Sequence, residues 1–192
     1  MPLSDTLHLL RAWLRHPRSV GALAPSGPTL ARLMTAHLDH AHGPVIELGP
    51  GTGVFTRALL EHGLPGHRLV LVETDPVLAG TLARRYPHAR VLRMDAVRLG
   101  HSSSLFGAER ASAVVSGLPL RSIPADKVEA IIAGVFERQL QDDGVLYQFT
   151  YGLRCPVSRT LRQRLGLEAE RIGSTWRNLP PARVWRIRRR AG

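Results

Sequence analysis

The sequence contains one cysteine, Cys155, one lysine, Lys127, and no run of eighteen apolar residues. A lone cysteine excludes an internal disulfide and any multi-cysteine zinc or iron–sulfur site. Cys155 precedes Pro156, has no motif partner, and reads as a buried structural thiol. The lack of a long apolar run excludes a helix that crosses a bilayer, although a chain without one can still lie on a membrane. No cleavable signal peptide is visible at the start, so a cytoplasmic chain is expected. His37, His40 and His42 cluster in a stretch that reads as loop and lacks a carboxylate pair, so no metal site is expected. Internal repeats and low-complexity tracts are absent as well.

What is present is globular. A chain of 192 residues is the size of one domain, and domains of this order bury roughly 70% of their unfolded surface. The formal charge is +11, and 25 of the 26 basic side chains are arginine, the residue suited to bidentate contact with phosphate or carboxylate. The excess is terminal. Residues 1–32 carry +3 and residues 151–192 carry +9, whereas residues 33–150 are near neutral. The basic partner site is therefore expected at the chain ends.

Short β-rich runs alternate with helical stretches: 45–48 then 54–62, and 69–72 then 76–86. The pattern continues with strands at 91–93 and 113–116, a helix over 125–140, and a strand at 145–150. That alternation predicts a parallel α/β sheet. Segments 171–176 and 184–188, separated by Asn178, Pro180 and Pro181, suit an appended antiparallel pair and bring the count to seven strands.

After the first strand comes Glu47-Leu48-Gly49-Pro50-Gly51-Thr52-Gly53. Gly49, Gly51 and Gly53 supply a turn that lets the backbone approach a ligand before a helix opens. The second strand ends in Glu73, twenty residues past Gly53, where an acid can accept both ribose hydroxyls. The third is followed by Asp95 and Ala96, placed to face an adenine ring. Dinucleotide enzymes share glycines and an acid. Glu47, two positions before the first glycine, makes the stretch resemble motif I of class I S-adenosylmethionine-dependent methyltransferases.

At the fourth strand end the sequence reads Val115-Ser116-Gly117-Leu118-Pro119-Leu120. The ribosomal RNA adenine dimethylases, which share the cofactor motifs, carry an amide and an aromatic where Gly117 and Leu120 stand. Without them a flipped base loses its hydrogen-bond partner and its stacking platform. Leu118, Pro119 and Leu120 suit an acyl or glycerol-adjacent surface, or simply the packing of a turn.

Leu3, Leu7, Leu10 and Leu14 fall within an arc of about 60° on a helical wheel, flanked by Arg11 and Trp13 and followed by Arg15. Such a stripe either packs on its own domain or lies in an anionic membrane interface. Several arginines near an anionic leaflet, at about 1 kcal/mol each, would make a weak anchor adequate.

This amphipathic helix, the stretch Val20-Gly21-Ala22-Leu23-Ala24-Pro25-Ser26, the glycine turn, the Ser116–Leu120 stretch, Tyr151-Gly152, and Asn178-Leu179-Pro180-Pro181-Ala182-Arg183-Val184-Trp185 together resemble the bacterial phospholipid N-methyltransferases of the soluble, peripheral type. The resemblance covers nearly the whole chain. It implies a Rossmann-like class I methyltransferase fold over residues 33–192, preceded by a membrane-binding and cofactor-lid segment over 1–32. It implies successive methyl transfer from S-adenosylmethionine to the amine of phosphatidylethanolamine, towards phosphatidylcholine, by a chain peripherally associated with the inner face of the cell membrane. Cofactor contacts are then expected at Glu47, Gly49, Gly51, Gly53, Glu73, Asp95, Ala96 and Ser116, with Pro25 and Ser26 in the covering loop. Leu3, Leu7, Leu10, Arg11, Trp13, Leu14 and Arg15 are expected to meet an anionic phospholipid surface. A monomer is expected.

The sulfonium is an activated methyl donor, so the protein must chiefly hold an unprotonated amine in line with it. Tyr151 is the candidate catalytic residue, by hydrogen bonding and cation–π contact with the amine, or else a packed tyrosine at a strand end. Arg183, with Arg121 as the second choice, can pair with the lipid phosphate, and Leu118 completes the substrate set. The terminal run is expected to leave Arg188, Arg189 and Arg190 to solvent or lipid phosphate. Three other readings stay open: an RNA adenine dimethylase, an ornithine-lipid N-methyltransferase, and a non-catalytic cofactor-binding membrane protein.

Overall fold

The computed structural model describes residues 27–38, 43–175 and 181–190. The expected amphipathic helix, with Leu3, Leu7, Leu10, Arg11, Trp13, Leu14 and Arg15, lies outside the described residues, as do Pro25, Ser26 and Asn178–Pro180 by number. Among the described residues, strands β1 (Val45–Leu48), β2 (Leu69–Glu73), β3 (Arg90–Arg93), β4 (Ala111–Ser116), β5 (Leu140–Thr150), β6 (Leu167–Thr175) and β7 (Ala182–Arg189) form one sheet. Its order is β3-β2-β1-β4-β5-β7-β6. The first five run parallel, and β7 lies antiparallel between β5 and β6. The chain winds outward from β1 in one direction through β2 and β3, then resumes on the other side at β4. A crevice follows at the carboxyl ends of β1 and β4, where ligands bind in this class of sheet.

β1 and β2 are buried along their whole length, because helices cover both faces of the sheet. On one face lie α1 (Pro28–Thr35), α2 (Val54–Glu61) and α3 (Pro76–Arg85). Their Leu30, Met34, Phe55, Leu59 and Leu82 pack on Leu69, Leu71, Val115 and Phe149. The other face carries α4 (Ala125–Gly134), α5 (Arg159–Arg164) and a 3₁₀ turn at Ala96–His101. There Leu99, Ile131, Ile132, Phe136 and Leu161 meet Ile46, Leu48, Val114, Leu146 and Ile187. Each fully buried leucine among these contributes roughly 1.5–3 kcal/mol. Residue 32, where the sequence reading divides the chain, lies inside α1, and Tyr147 Oη donates to the His37 carbonyl at 3.0 Å just past that helix.

The structure departs from the sequence expectation in four places. The helix expected over 125–140 stops at Gly134, widens into a π turn at Val135–Gln139, and gives way to a strand five residues early. The cause is a bulge: β4 pairs Ala111 with Leu140 and Ala113 with Val145, so residues 141–144, with Asp142 and Asp143 exposed, loop out of register. Helix α5 was not expected. Ser158 Oγ caps it by accepting from Leu161 N at 3.2 Å. β6 starts at Leu167 rather than 171, because its Glu168 and Glu170 face Arg188 and Arg186 of β7, each pair at 2.6 Å. Finally, one member of the arginine run departs: Arg188 and Arg190 are exposed as expected, Arg188 also pairing with Glu168, but Arg189 is half-buried and donates to the Phe136 carbonyl.

Behind the site, Gln139 pins the segment 99–105 at three points. Its Oε1 accepts from Leu105 N at 3.0 Å, and its Nε2 donates to the carbonyls of Leu99 at 3.1 Å and Ser103 at 3.3 Å. Gly134 lets α4 approach this turn, since a Cβ there would lie 2.5 Å from Gly100 N and 3.0 Å from the Leu99 carbonyl carbon. Glycine to alanine inside a helix ordinarily stabilises by up to about 1 kcal/mol. At this position backbone lies in the way, and overpacking of that kind costs about 1–3 kcal/mol. Gly134→Ala is expected to lower the denaturation midpoint in urea; an unchanged or raised midpoint would show that α4 moves aside freely.

Candidate active site

The glycine turn leaves β1 with Gly49 N donating to the Val72 carbonyl at 2.9 Å. A Cβ on Gly49 would lie 2.7 Å from Leu118 Cδ2, so the turn and the loop after β4 touch. Gly51 has φ +56° and nothing within 4 Å of where its Cβ would sit, so backbone there faces open space. Gly53 caps α2 and its carbonyl accepts from Tyr86 Oη at 3.1 Å.

Glu73, at the end of β2, is 7% exposed and braces the turn. Its Oε2 accepts from Gly51 N at 3.1 Å, and its Oε1 from Asp75 N at 3.0 Å. Asp95 caps the turn after β3 by accepting from Val97 N at 3.0 Å, and Ala96 is buried beside it. A cleft of about 270 Å³ opens over these strand ends, lined by Gly49, Glu73, Asp95, Ala96 and Leu118. Five predicted residues thus meet in one cavity. Its remaining wall includes Thr74, Met94, Val97, Ile123, Lys127 and Ile131, which sequence reasoning missed. The signal available was Ser122-Ile123-Pro124 directly before a helix, together with the chain's one lysine.

Glu47 does not line this cleft. It is 0% exposed, and its Oε2 accepts from Thr56 Oγ1 of α2 at 2.6 Å. Its Oε1 is buried with no partner among the described residues. Burial pushes its pKa up to about 8; the Thr56 hydrogen bonds oppose the rise and the Glu73 carboxylate adds to it. A hydrogen-bond donor would satisfy that oxygen, and the ammonium at the amino-acid end of S-adenosylmethionine is such a donor. The cleft beside it, with an acid at a ribose position and an apolar slot, fits the adenosine end.

On the acceptor side, Ser116 is buried and its Oγ accepts from Leu118 N at 3.4 Å. The Leu118 carbonyl accepts twice, from Leu120 N at 2.9 Å and from Gln148 Nε2 at 3.0 Å, so both of its lone pairs are used. Gln148 is fully buried on β5, opposite Ser116 in register, and was not predicted. Tyr151 follows β5, with its ring edge-on to Phe149 at 5.4 Å. Arg183 Nη1 donates to the Gly152 carbonyl at 3.3 Å, and a Cβ on Gly152 would lie 3.0 Å from Arg121 Nη1. Tyr151, Arg121 and Arg183 therefore converge on one turn, apart from the residues that line the cleft.

Among the described residues, no group of three or more His, Cys, Asp or Glu side chains is arranged to hold a metal ion. No described helix is long and apolar enough to cross a membrane. Burial pushes the Cys155 thiol pKa up, against a nucleophilic role.

The state of Glu47 has a consequence for stability. Its folded pKa lies above its unfolded one, so between about pH 4.5 and 8 the folded chain holds a proton that the unfolded chain has released. Stability is then lost as pH rises through that window, by an amount on the order of a few kcal/mol. Glu47→Gln, which mimics the neutral form, is expected to flatten the decline measured by urea denaturation in the absence of cofactor. Equal slopes in the two proteins would contradict a protonated Glu47.

No protein-family model matches the chain. It is 30% identical over 152 residues to the ornithine lipid N-methyltransferase of Singulisphaera acidiphila, covering 77% of this chain and 79% of that one. It is 41% identical over 96 residues to the ribosomal RNA small subunit methyltransferase A of Afipia carboxidovorans, but that match spans only 45% of this chain and 32% of the relative. Among solved structures, the N-methyltransferase NodS of Bradyrhizobium japonicum, in complex with S-adenosyl-L-homocysteine, superposes with a TM-score of 0.65 at 17% identity. That superposition covers 97% of this chain and all of the other. The glycine turn, the cleft over the strand ends and the sheet order are those of an S-adenosylmethionine-dependent enzyme, and the sequence relation to the lipid enzyme spans more than three-quarters of the chain. The chain belongs to the lipid N-methyltransferase family of the class I S-adenosylmethionine-dependent methyltransferases.

Proposed function

We propose that the protein methylates the primary amine of a membrane lipid whose head group also bears an anion, with phosphatidylethanolamine as the substrate. The relation to a lipid N-methyltransferase over more than three-quarters of the chain carries this reading. Gly117 and Leu120 in place of an amide and an aromatic support it against a nucleobase, as does the Leu118 carbonyl, whose lone pairs are already engaged. A second reading, ornithine lipid, is favoured by the named substrate of that relative. Both lipids pair an amine with an anionic group, carboxylate in one and phosphate in the other.

In this reading the cofactor supplies a methyl group already activated on sulfur. Glu73 and Asp95 hold its adenosine end, and the Gly49–Gly51 backbone lies against it. The Glu47 carboxyl receives its ammonium, losing its own proton as it does so. Arg121 and Arg183 hold the head-group anion beside Gly152, and Tyr151, one residue away, contacts the amine. The apolar wall around Leu118 favours the neutral amine that attack requires. The chain associates peripherally with an anionic membrane through its N-terminal segment and acts there as a monomer.

Two variants test the assignment. Glu73→Ala is expected to weaken S-adenosylmethionine binding by about 100-fold or more, as the loss of several charge-assisted hydrogen bonds would, while circular dichroism stays native; unchanged affinity would remove the cofactor role. Arg183→Ala is expected to raise the lipid KM roughly tenfold with cofactor affinity unaltered. An unaltered lipid KM would mean that the guanidinium only braces the Gly152 turn.

A further inference from the structure

Two large apolar side chains are exposed among the described residues: Val77 at 73% and Leu153 at 75%. Both follow the carboxyl ends of parallel strands, β2 and β5, on the edge of the sheet where the cleft opens. A single exposed leucine is ordinary on a protein surface. The surroundings of these two differ. Val77 opens α3, whose cap Asp75 keeps an exposed carboxylate on Val77 N at 2.8 Å. Leu153 sits between Gly152, which Arg121 and Arg183 flank, and the exposed Arg154. Neither Arg121 nor Arg154 has an ion pair among the described residues. Arg186 and Arg188 of β7, by contrast, are occupied by Glu170 and Glu168.

We propose that the turn carrying Gly152, Leu153 and Arg154 is a membrane contact, with Leu153 entering the interface of an anionic leaflet and Arg121 and Arg154 meeting its phosphates. An apolar side chain ringed by cations gains both from burial in the interface and from the negative surface potential. Val77, beside Asp75, gains from burial and is repelled by that potential. The turn also carries the candidate amine and anion contacts, so docking there presents the acceptor end of the site to the lipid surface. A lipid amine then reaches Tyr151 with its acyl chains still in the leaflet. The inference rests on the lipid reading proposed above and adds a contact independent of the N-terminal segment.

The test uses the full chain carrying Cys155→Ser, so that Leu153→Cys or Val77→Cys takes one environment-sensitive fluorophore. With vesicles of phosphatidylcholine and phosphatidylglycerol, emission at position 153 is expected to shift blue and brighten, and at position 77 to stay as in buffer. Vesicles of phosphatidylcholine alone should move neither. Without a label, Leu153→Glu is expected to weaken vesicle binding by roughly tenfold, and Val77→Glu by less than twofold. A water-like signal at 153 on vesicle-bound protein, or undiminished binding by Leu153→Glu, would overturn the inference. Labelling of lipid in detergent micelles by the unmodified chain keeps the two questions apart: if it occurs while position 153 stays in water, only the docking turn is wrong, and if no lipid is labelled, the lipid reading itself fails.

Discussion

The structure depends on two loops leaving neighbouring strands that meet backbone to backbone. Gly117 N donates to the Leu48 carbonyl at 2.8 Å, and a Cβ on Gly117 would lie 2.6 Å from the Gly49 carbonyl oxygen. From the other side, a Cβ on Gly49 would lie 2.7 Å from Leu118. Position 117 has no room for a side chain and Gly49 holds φ +65°, so the glycine turn and the loop after β4 are held against each other. The chemistry needs that rigidity, because transfer to an amine gains most of its rate from fixed geometry between donor and acceptor. The same contact leaves no space for an amide at 117.

Electrostatics divides the molecule along the same line. Around the cleft the carboxylates are engaged by backbone, Glu73 by Gly51 and Asp75 and Asp95 by Val97, and Lys127 is the cation in its lining. Glu47 is fully buried, and that burial pushes its pKa up to about 8. Around the acceptor end the charges are cationic, with Arg121 and Arg183 against Gly152. In the reading proposed above, the cofactor's ammonium would meet Glu47 and an anionic head group would meet Arg121 and Arg183.

Much of this was legible in the sequence because it is local. The glycine turn, the acids closing β2 and β3, and the alternation of strands and helices each depend on residues a few positions apart, and all stand where expected. Legibility failed where the outcome depends on distant partners. The start of β5 is set by a bulge against β4, which Asp142, Asp143 and Gly144 alone present as a turn. Arg189 was expected in solvent because the Phe136 carbonyl that receives its guanidinium lies far off in sequence, in the π turn after α4. Thr56 under Glu47 and Gln148 on the Leu118 carbonyl carry no motif, since their roles exist only once α2 and β5 are packed. Helix α5 is six residues long, too short for its periodicity to register.

The most direct measurement is transfer itself. The purified chain, labelled S-adenosylmethionine, and vesicles holding phosphatidylethanolamine, ornithine lipid and an anionic lipid are incubated together, with ribosomal RNA in a parallel reaction, and the products are separated. The account predicts label on the amine of one of the two lipids and none on RNA. Label on RNA, or on no lipid while S-adenosylmethionine binding persists, would contradict it.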